Sequence, residues 1–437
     1  MLIRNPQRAA IAAIAARADL AAVVSLLLAI GVAAAMPERA WAGSVRHATV
    51  VSADPVRHTP HVLDGIVNAF ALVGGKVVVG GSFDSVRDAG DSHVLERHNI
   101  FAFDLASGKI DRGFAPDLDD PVYALAAGAG DTVYAGGSFR TVNGWPRPRL
   151  TRLNLRDGSA AYGFSPWLTG GSVSALVRQG DLLYVGGAFT DAGGRGHPAL
   201  VRLDARSGAV DPRFGITPGR PRGSQVKVYA MAATRDRLLV DGSFMTLGGK
   251  SRPQLGLIDI TTASPRVANW RSNAYKRDCM TVFPSYVRGL DFSPDGKYFV
   301  VVSTGGPKGK GGLCDAAARF ETYSQGRRIQ PTWVNRTGGD SLYAVSVSGA
   351  AVYVGGHQRW LNNPKGVDSR GPGAVHRPGI GALQPRTGRA LRWNPTRTRG
   401  VGVKAFLAVS GGLLVGSDTT RLGHEYHARV GMFPIGH

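Results

Sequence analysis

The chain has 437 residues, 43% hydrophobic and 19% charged, with 60 glycines and 25 prolines. So much apolar material excludes a disordered polymer, and glycine spread evenly between short apolar runs marks turns rather than a flexible linker. The formal charge of +21 points to anionic partners such as acidic glycans, wall polymers or phospholipid head groups without specifying nucleic acid; an arginine-, alanine- and glycine-rich composition from GC-rich coding gives the same charge with no partner at all.

In chain order, the first element is a leader. Arg4, Arg8 and Arg17 precede an uncharged apolar run from Leu20 to Met36, followed by Pro37 and Ala40-Trp41-Ala42 before Gly43. This is the order of a secretory signal peptide, with cleavage expected after Ala42. Retention as an anchor is the alternative, although the run is short for crossing a bilayer. Residues 1–42 hold four arginines (Arg4, Arg8, Arg17, Arg39) and two acids (Asp19, Glu38), so +19 of the +21 belongs to residues 43–437. No later segment is apolar enough to span a membrane. The expected product is therefore one exported domain, residues 43–437, secreted or at a bacterial cell surface and monomeric.

Residues 43–64 belong to no repeat. After them an apolar-x-small-apolar unit recurs: Val67-Asn68-Ala69-Phe70, Val122-Tyr123-Ala124-Leu125, Val173-Ser174-Ala175-Leu176 and Val228-Tyr229-Ala230-Met231, then Val287-Arg288-Gly289-Leu290, Leu342-Tyr343-Ala344-Val345 and Val403-Lys404-Ala405-Phe406. A second apolar run follows each unit and ends in glycine, as in Val77-Val78-Val79-Gly80-Gly81 or Leu183-Tyr184-Val185-Gly186-Gly187. A third run, such as Leu150-Thr151-Arg152-Leu153, closes on a turn like Ser207-Gly208 or Thr387-Gly388. The fourth element carries Phe114, Phe164, Phe214, Trp270, Trp333 or Trp393. Short β-branched and aromatic runs parted by glycine turns read as strands. Four strands in each of seven units predict an all-β, seven-bladed β-propeller. The small residue of the first strand fits the crowded axis, and the glycine ending the second is expected to permit tight or left-handed backbone. The seventh unit stops after three strands, so residues around His47–Pro60 are expected to complete the last blade and close the ring.

The Gly81-Ser82-Phe83 and Gly137-Ser138-Phe139 endings and Trp393-Asn394-Pro395 resemble delta-sixty-type repeats. The resemblance covers roughly residues 60–437 and implies a secreted β-propeller of the kind found in actinobacteria. The family is largely uncharacterised, so the resemblance transfers no catalytic motif.

Cys279 and Cys314 are the two cysteines. In an exported chain they are expected to form one disulfide, with two free thiols as the alternative. Nearby, residues 307–312 read as a mobile basic loop.

Aligning the repeats places Arg97, Arg147, His197, Arg252, Arg377 and His427 at one position ahead of the third strand. They form either a pseudo-symmetric basic rim for an anion or a set of carbonyl caps and ion pairs. His357-Gln358-Arg359-Trp360 breaks the Gly-Gly-Ser-Phe pattern of the sixth unit. Trp360 is expected either to stack on a sugar ring or to replace the core phenylalanine. His424-Glu425-Tyr426-His427 has the wrong spacing for the helical zinc-protease motif, and no metal site or cofactor is expected. The ligand-binding set read from the sequence is Arg147, Arg252, His357, Arg359, Trp360 and His427, facing an anionic polymer or glycan. A glycan hydrolase or lyase on the same face and a protein-interaction platform are the alternatives, and no catalytic residue is identifiable.

Overall fold

The computed structural model describes residues 45–194, 196–277, 279, 287–306 and 312–436. The leader and the basic stretch at 307–311 lie outside the described residues. Among these residues there is no helix, so none long and apolar enough to cross a membrane.

Seven antiparallel sheets follow the repeat, each ordered as its strands occur in the chain. The first is Ile66–Val73, Lys76–Ser82 and Ile100–Asp104. The second is Val122–Ala127, Thr132–Gly137 and Leu150–Asn154, and the third Leu168–Gln179, Leu182–Ala192 and Leu200–Asp204. The fourth is Val228–Ala233, Arg237–Gly242, Leu255–Asp259 and Arg266–Val267. The fifth is Val287–Phe292, Tyr298–Ser303, Ala316–Glu321 and Trp333–Arg336. The sixth is Leu342–Val347, Val352–Gly356 and Ile380–Leu383, and the seventh Ala405–Val409, Gly412–Gly416 and Val430–Pro434. Only the fourth and fifth sheets have a full fourth strand. In the first, second, third and sixth it shrinks to a single bridge, as between Phe103 and Ile110 or Leu383 and Ala390. The chain turns away there to bury its aromatic residue: Phe114, Phe164 and Phe214 are all buried.

The second strands are continuous apolar runs because both faces of each sheet are covered. Val77, Val78 and Val79 are all fully buried, so no alternation survives. Apolar side chains form seven clusters: six join sheets successive in the chain, and one joins Val67 and Phe70 of the first sheet to Leu414 and Met432 of the seventh. Each first strand packs on the next one in order, and Ala405–Val409 packs on Ile66–Val73. Residues ahead of the repeats lie along the last strand: the Ser52 amide donates to Pro434 O at 2.7 Å and that of Val56 to Met432 O at 2.9 Å.

The glycines ending the second strands serve a different purpose from the one expected. Gly80, Gly136, Gly186, Gly355 and Gly416 are not left-handed; a Cβ there would lie 2.5–2.6 Å from the Val122, Val173, Val228, Val403 and Val67 side chains of the following sheet. The glycine makes room for the neighbour. Left-handed backbone occurs instead just before each third strand, at Asn99, Arg149, Ala199, Gln254, Asp315, Gly379 and Arg429, with φ between 46° and 73°. One of these seven is glycine; the others are held by backbone bonds such as Ala199 N–H to Phe189 O at 2.9 Å.

Candidate functional site

In each first strand of the first, second, third, fifth and sixth sheets the register slips by one residue, at Asn68, Tyr123, Ser174, Arg288 and Tyr343. Tyr229 lies in the corresponding break of the fourth sheet, and Lys404 precedes the ladder of the seventh. A bulge re-aims the side chain it carries. These residues are half-buried or exposed, between neighbours that are buried except at Ala230, which is half-buried.

Four of them form a row of two cation–π pairs, linked by the like charges of Arg288 and Lys404. The Arg288 guanidinium lies over the Tyr229 ring, 4.8 Å from its centre, and Lys404 Nζ lies 3.6 Å from the centre of the Tyr343 ring. Cation–π contacts of this kind hold a charge against an aromatic face that can still meet a ligand. Burial brings the Lys404 ammonium down to about 8, the like charge of Arg288 adds to this, and Asp418 opposes it. Among the described residues Lys404 makes no ion pair. Burial raises the Tyr343 phenol, and its hydroxyl shares a 3.2 Å hydrogen bond with His357 Nδ1. Burial also lowers His357.

Three of the residues singled out from the sequence meet here. Besides His357, Arg359 forks onto Asp340, with Nε to Oδ2 at 2.9 Å and Nη2 to Oδ1 at 3.1 Å; it also bonds Asp368 and lies 4.4 Å over the Trp360 ring. The hydrogen bonds that Arg359 donates to Asp340 raise its pKa. Arg399 reaches Asp340 Oδ1 at 3.4 Å and His357 O at 2.7 Å. Trp360 does not replace the core phenylalanine. Gln358 takes that position, fully buried, and accepts the Gly379 amide as Phe83 accepts that of Asn99. Trp360 is half-buried on a hairpin, paired with His376.

The other three stand apart, each on its own sheet's hairpin. Arg252 is buried: Nη1 donates to Ser251 O and Nη2 to Ala268 O, both at 2.7 Å. Arg377 repeats this clamp on His376 O at 2.7 Å and Leu391 O at 2.6 Å. Arg147 is exposed and donates to Pro146 O at 2.9 Å. His427 is buried against Thr59, with 3.3 Å between Nδ1 and Oγ1, whereas His424 faces Thr396. Where the recurring residue is arginine, at Arg97, Arg147, Arg252 and Arg377, it thus donates to the backbone of its hairpin, a use that repeats with the fold.

Buried acids flank the row. Asp241 stands where Gly80 and Gly136 stand in earlier sheets. It is fully buried, with Oδ1 accepting the Ala230 amide at 2.8 Å and Oδ2 without a hydrogen-bond partner. Burial pushes its carboxyl up to about 8, against the pull of the Ala230 amide and then of Arg288. Asp315, buried and bonded by Ser341 Oγ at 3.3 Å, is pushed up to about 6, chiefly by burial, with Asp340 adding to it. Cys279 and Cys314 form a disulfide, Cα atoms 5.7 Å apart, beside Gly305 at the end of the fifth sheet's second strand.

The row lies at the variable second position of the apolar-x-small-apolar units. The available signal was that Asn, Tyr, Ser, Arg and Lys interrupt otherwise apolar strands there.

A domain of unknown function (DUF5122), described as a β-propeller, matches residues 131–160 and 183–214, in the second and third sheets. No curated protein matches the chain. Among solved structures it is similar to the computationally designed Ika8 protein (14% identity, TM-score 0.46, covering 88% of this chain and 100% of that one). It is also similar to the Myceliophteria thermophila Cps50 (Swd1) β-propeller domain (12% identity, TM-score 0.40, covering 74% and 82%). The described residues are all-β, and the chain carries a match to a β-propeller domain of unknown function.

Proposed function

We propose that residues 43–437 form a seven-bladed propeller of the delta-sixty type, exported and monomeric, that binds an acidic polysaccharide at one end of its axis. Tyr229, Arg288, Tyr343 and Lys404 take the ligand, with His357, Arg359 and Trp360 at its border. The ring is supported by the packing of the seventh first strand on the first and by the bonds from Ser52 and Val56 to the last strand. Export is supported by the leader pattern and the disulfide.

One observation carries the ligand class. Lys404 and Arg288 each stack on a tyrosine, burial and then the like charge of Arg288 hold Lys404 at about 8, and among the described residues no carboxylate lies within ion-pair reach of its ammonium. A carboxylated sugar supplies both missing parts, an anion between the charges and a ring for the aromatic faces. Lys404 loses its proton as pH rises through about 8, so affinity should fall through that range.

The test is calorimetric titration with polygalacturonate and with a neutral glucan from pH 6 to 9. We expect the uronate to bind preferentially, Lys404→Met to weaken it by ~10-fold, and the decline above pH 8 to vanish in that variant. Equal binding of both polymers, or an unchanged affinity and pH profile in Lys404→Met, would sink the proposal. The enzymatic reading draws on one feature, the buried Asp315, whose carboxyl burial raises to about 6, beside the ionic Asp340 network. New reducing ends released from the uronate by the protein, and lost in Asp315→Asn, would move the conclusion to hydrolysis.

A further inference from the structure

A cleft of about 530 Å³ opens between the fourth and fifth sheets. Three chain segments wall it: Lys250 and Arg252 from the hairpin after the fourth sheet's second strand, Asn269 and Arg271 from beyond its outermost strand, and Gly326 with Arg327 from the fifth sheet. Its four charged side chains are all cationic, and no carboxylate and no aromatic residue lines it.

The walls are fixed by backbone. Arg271 N–H donates to Gly326 O and Gly326 N–H to Asn269 O, both at 3.0 Å. The Arg252 clamp ties the hairpin to Ala268 at 2.7 Å. Burial lowers the Arg252 guanidinium, and the like charge of Arg271 lowers it further. Concentrated like charge in a fixed concavity, with nothing to neutralise it, is relieved by a bound anion. The volume falls within the range of small-molecule sites and exceeds what one inorganic ion fills.

We propose that this cleft is a second anion site, separate from the axial row, and that it takes the phosphate or sulfate ester of a sugar. Cations approaching from three segments suit a tetrahedral oxyanion bearing up to two charges better than a planar carboxylate. Without an aromatic wall, recognition there rests on charge and the rest of the volume accommodates the sugar.

The experiment titrates the intact chain with glucose, glucose 6-phosphate, glucose 6-sulfate, inorganic phosphate and polyphosphate at ~0.15 M ionic strength. We expect saturable binding of the esters, weaker binding of inorganic phosphate and none of glucose. Polyphosphate binding tighter than the monoesters would identify a polymer as the source, and the reverse order a free sugar ester. Lys250→Glu/Arg327→Glu, both at exposed positions, should weaken ester binding at least ~10-fold with thermal unfolding unchanged. If that pair unfolds, Lys250→Gln/Arg327→Gln replaces it. Lys404→Met should leave ester binding intact, which separates this site from the axial one. No saturable ester binding, an unaffected double variant, or loss of ester binding in Lys404→Met would overturn the proposal.

Discussion

Replacing Asp241 by asparagine should remove most of the pH dependence of stability between about pH 4 and 8. The carboxyl is fully buried at a position that is glycine in earlier sheets, and burial raises it from 3.8 to about 8. The unfolded chain releases this proton near 3.8, whereas the folded chain keeps it until about 8. Between those values the native state holds the extra proton, so stability falls as pH rises. The slope is roughly 1.4 kcal/mol per pH unit, and the whole displacement is worth roughly 6 kcal/mol at most. Asparagine keeps the shape and the Oδ1 acceptor of the Ala230 amide but cannot ionise. Urea unfolding at pH 4.5, 6, 7 and 8 should give curves for the two proteins that meet at the acid end. They should separate toward pH 8, with the variant several kcal/mol the more stable. Parallel curves across that range would mean that Asp241 ionises freely in the fold and that its burial is not what the structure describes.

Two further predictions follow from packing and covalent closure. Gly136→Ala brings a Cβ to 2.5 Å from Val173 Cγ1 of the next sheet and should cost about 1–3 kcal/mol. Val173→Ala in the same chain should recover part of that loss, and strictly additive denaturation energies for the pair would refute the glycine–valine contact. Cys279→Ser/Cys314→Ser opens a closure of 35 residues and should cost about 4 kcal/mol in the chain-entropy picture; an unchanged denaturation midpoint under reducing and oxidising conditions would contradict it.

The strand pattern was legible because it repeats. Val77-Val78-Val79 or Leu183-Tyr184-Val185 can hide its apolar side chains only as a strand covered on both faces. The basic residue ahead of the third strand was visible too, but its use was not. Whether Arg252 meets a ligand or clamps Ser251 and Ala268 depends on where carbonyls from 1 and 16 residues away arrive. Which of the two readings of Trp360 holds was illegible for a similar reason, since hydrophobicity favours the tryptophan inside and the backbone register places Gln358 there.

Residue order alone determined the periodicity, the small residue on each first strand and the pairing expected of two cysteines, because each follows from local volume, turn chemistry or compartment. Tertiary structure decided what lies across each boundary between sheets. Gly136 is required by a valine 37 positions later, and Lys404, lowered first by burial, is lowered further by Arg288 from a sheet two units earlier. Such contacts join residues far apart in the chain, and no one-dimensional pattern carries the distance on which packing and charge both depend.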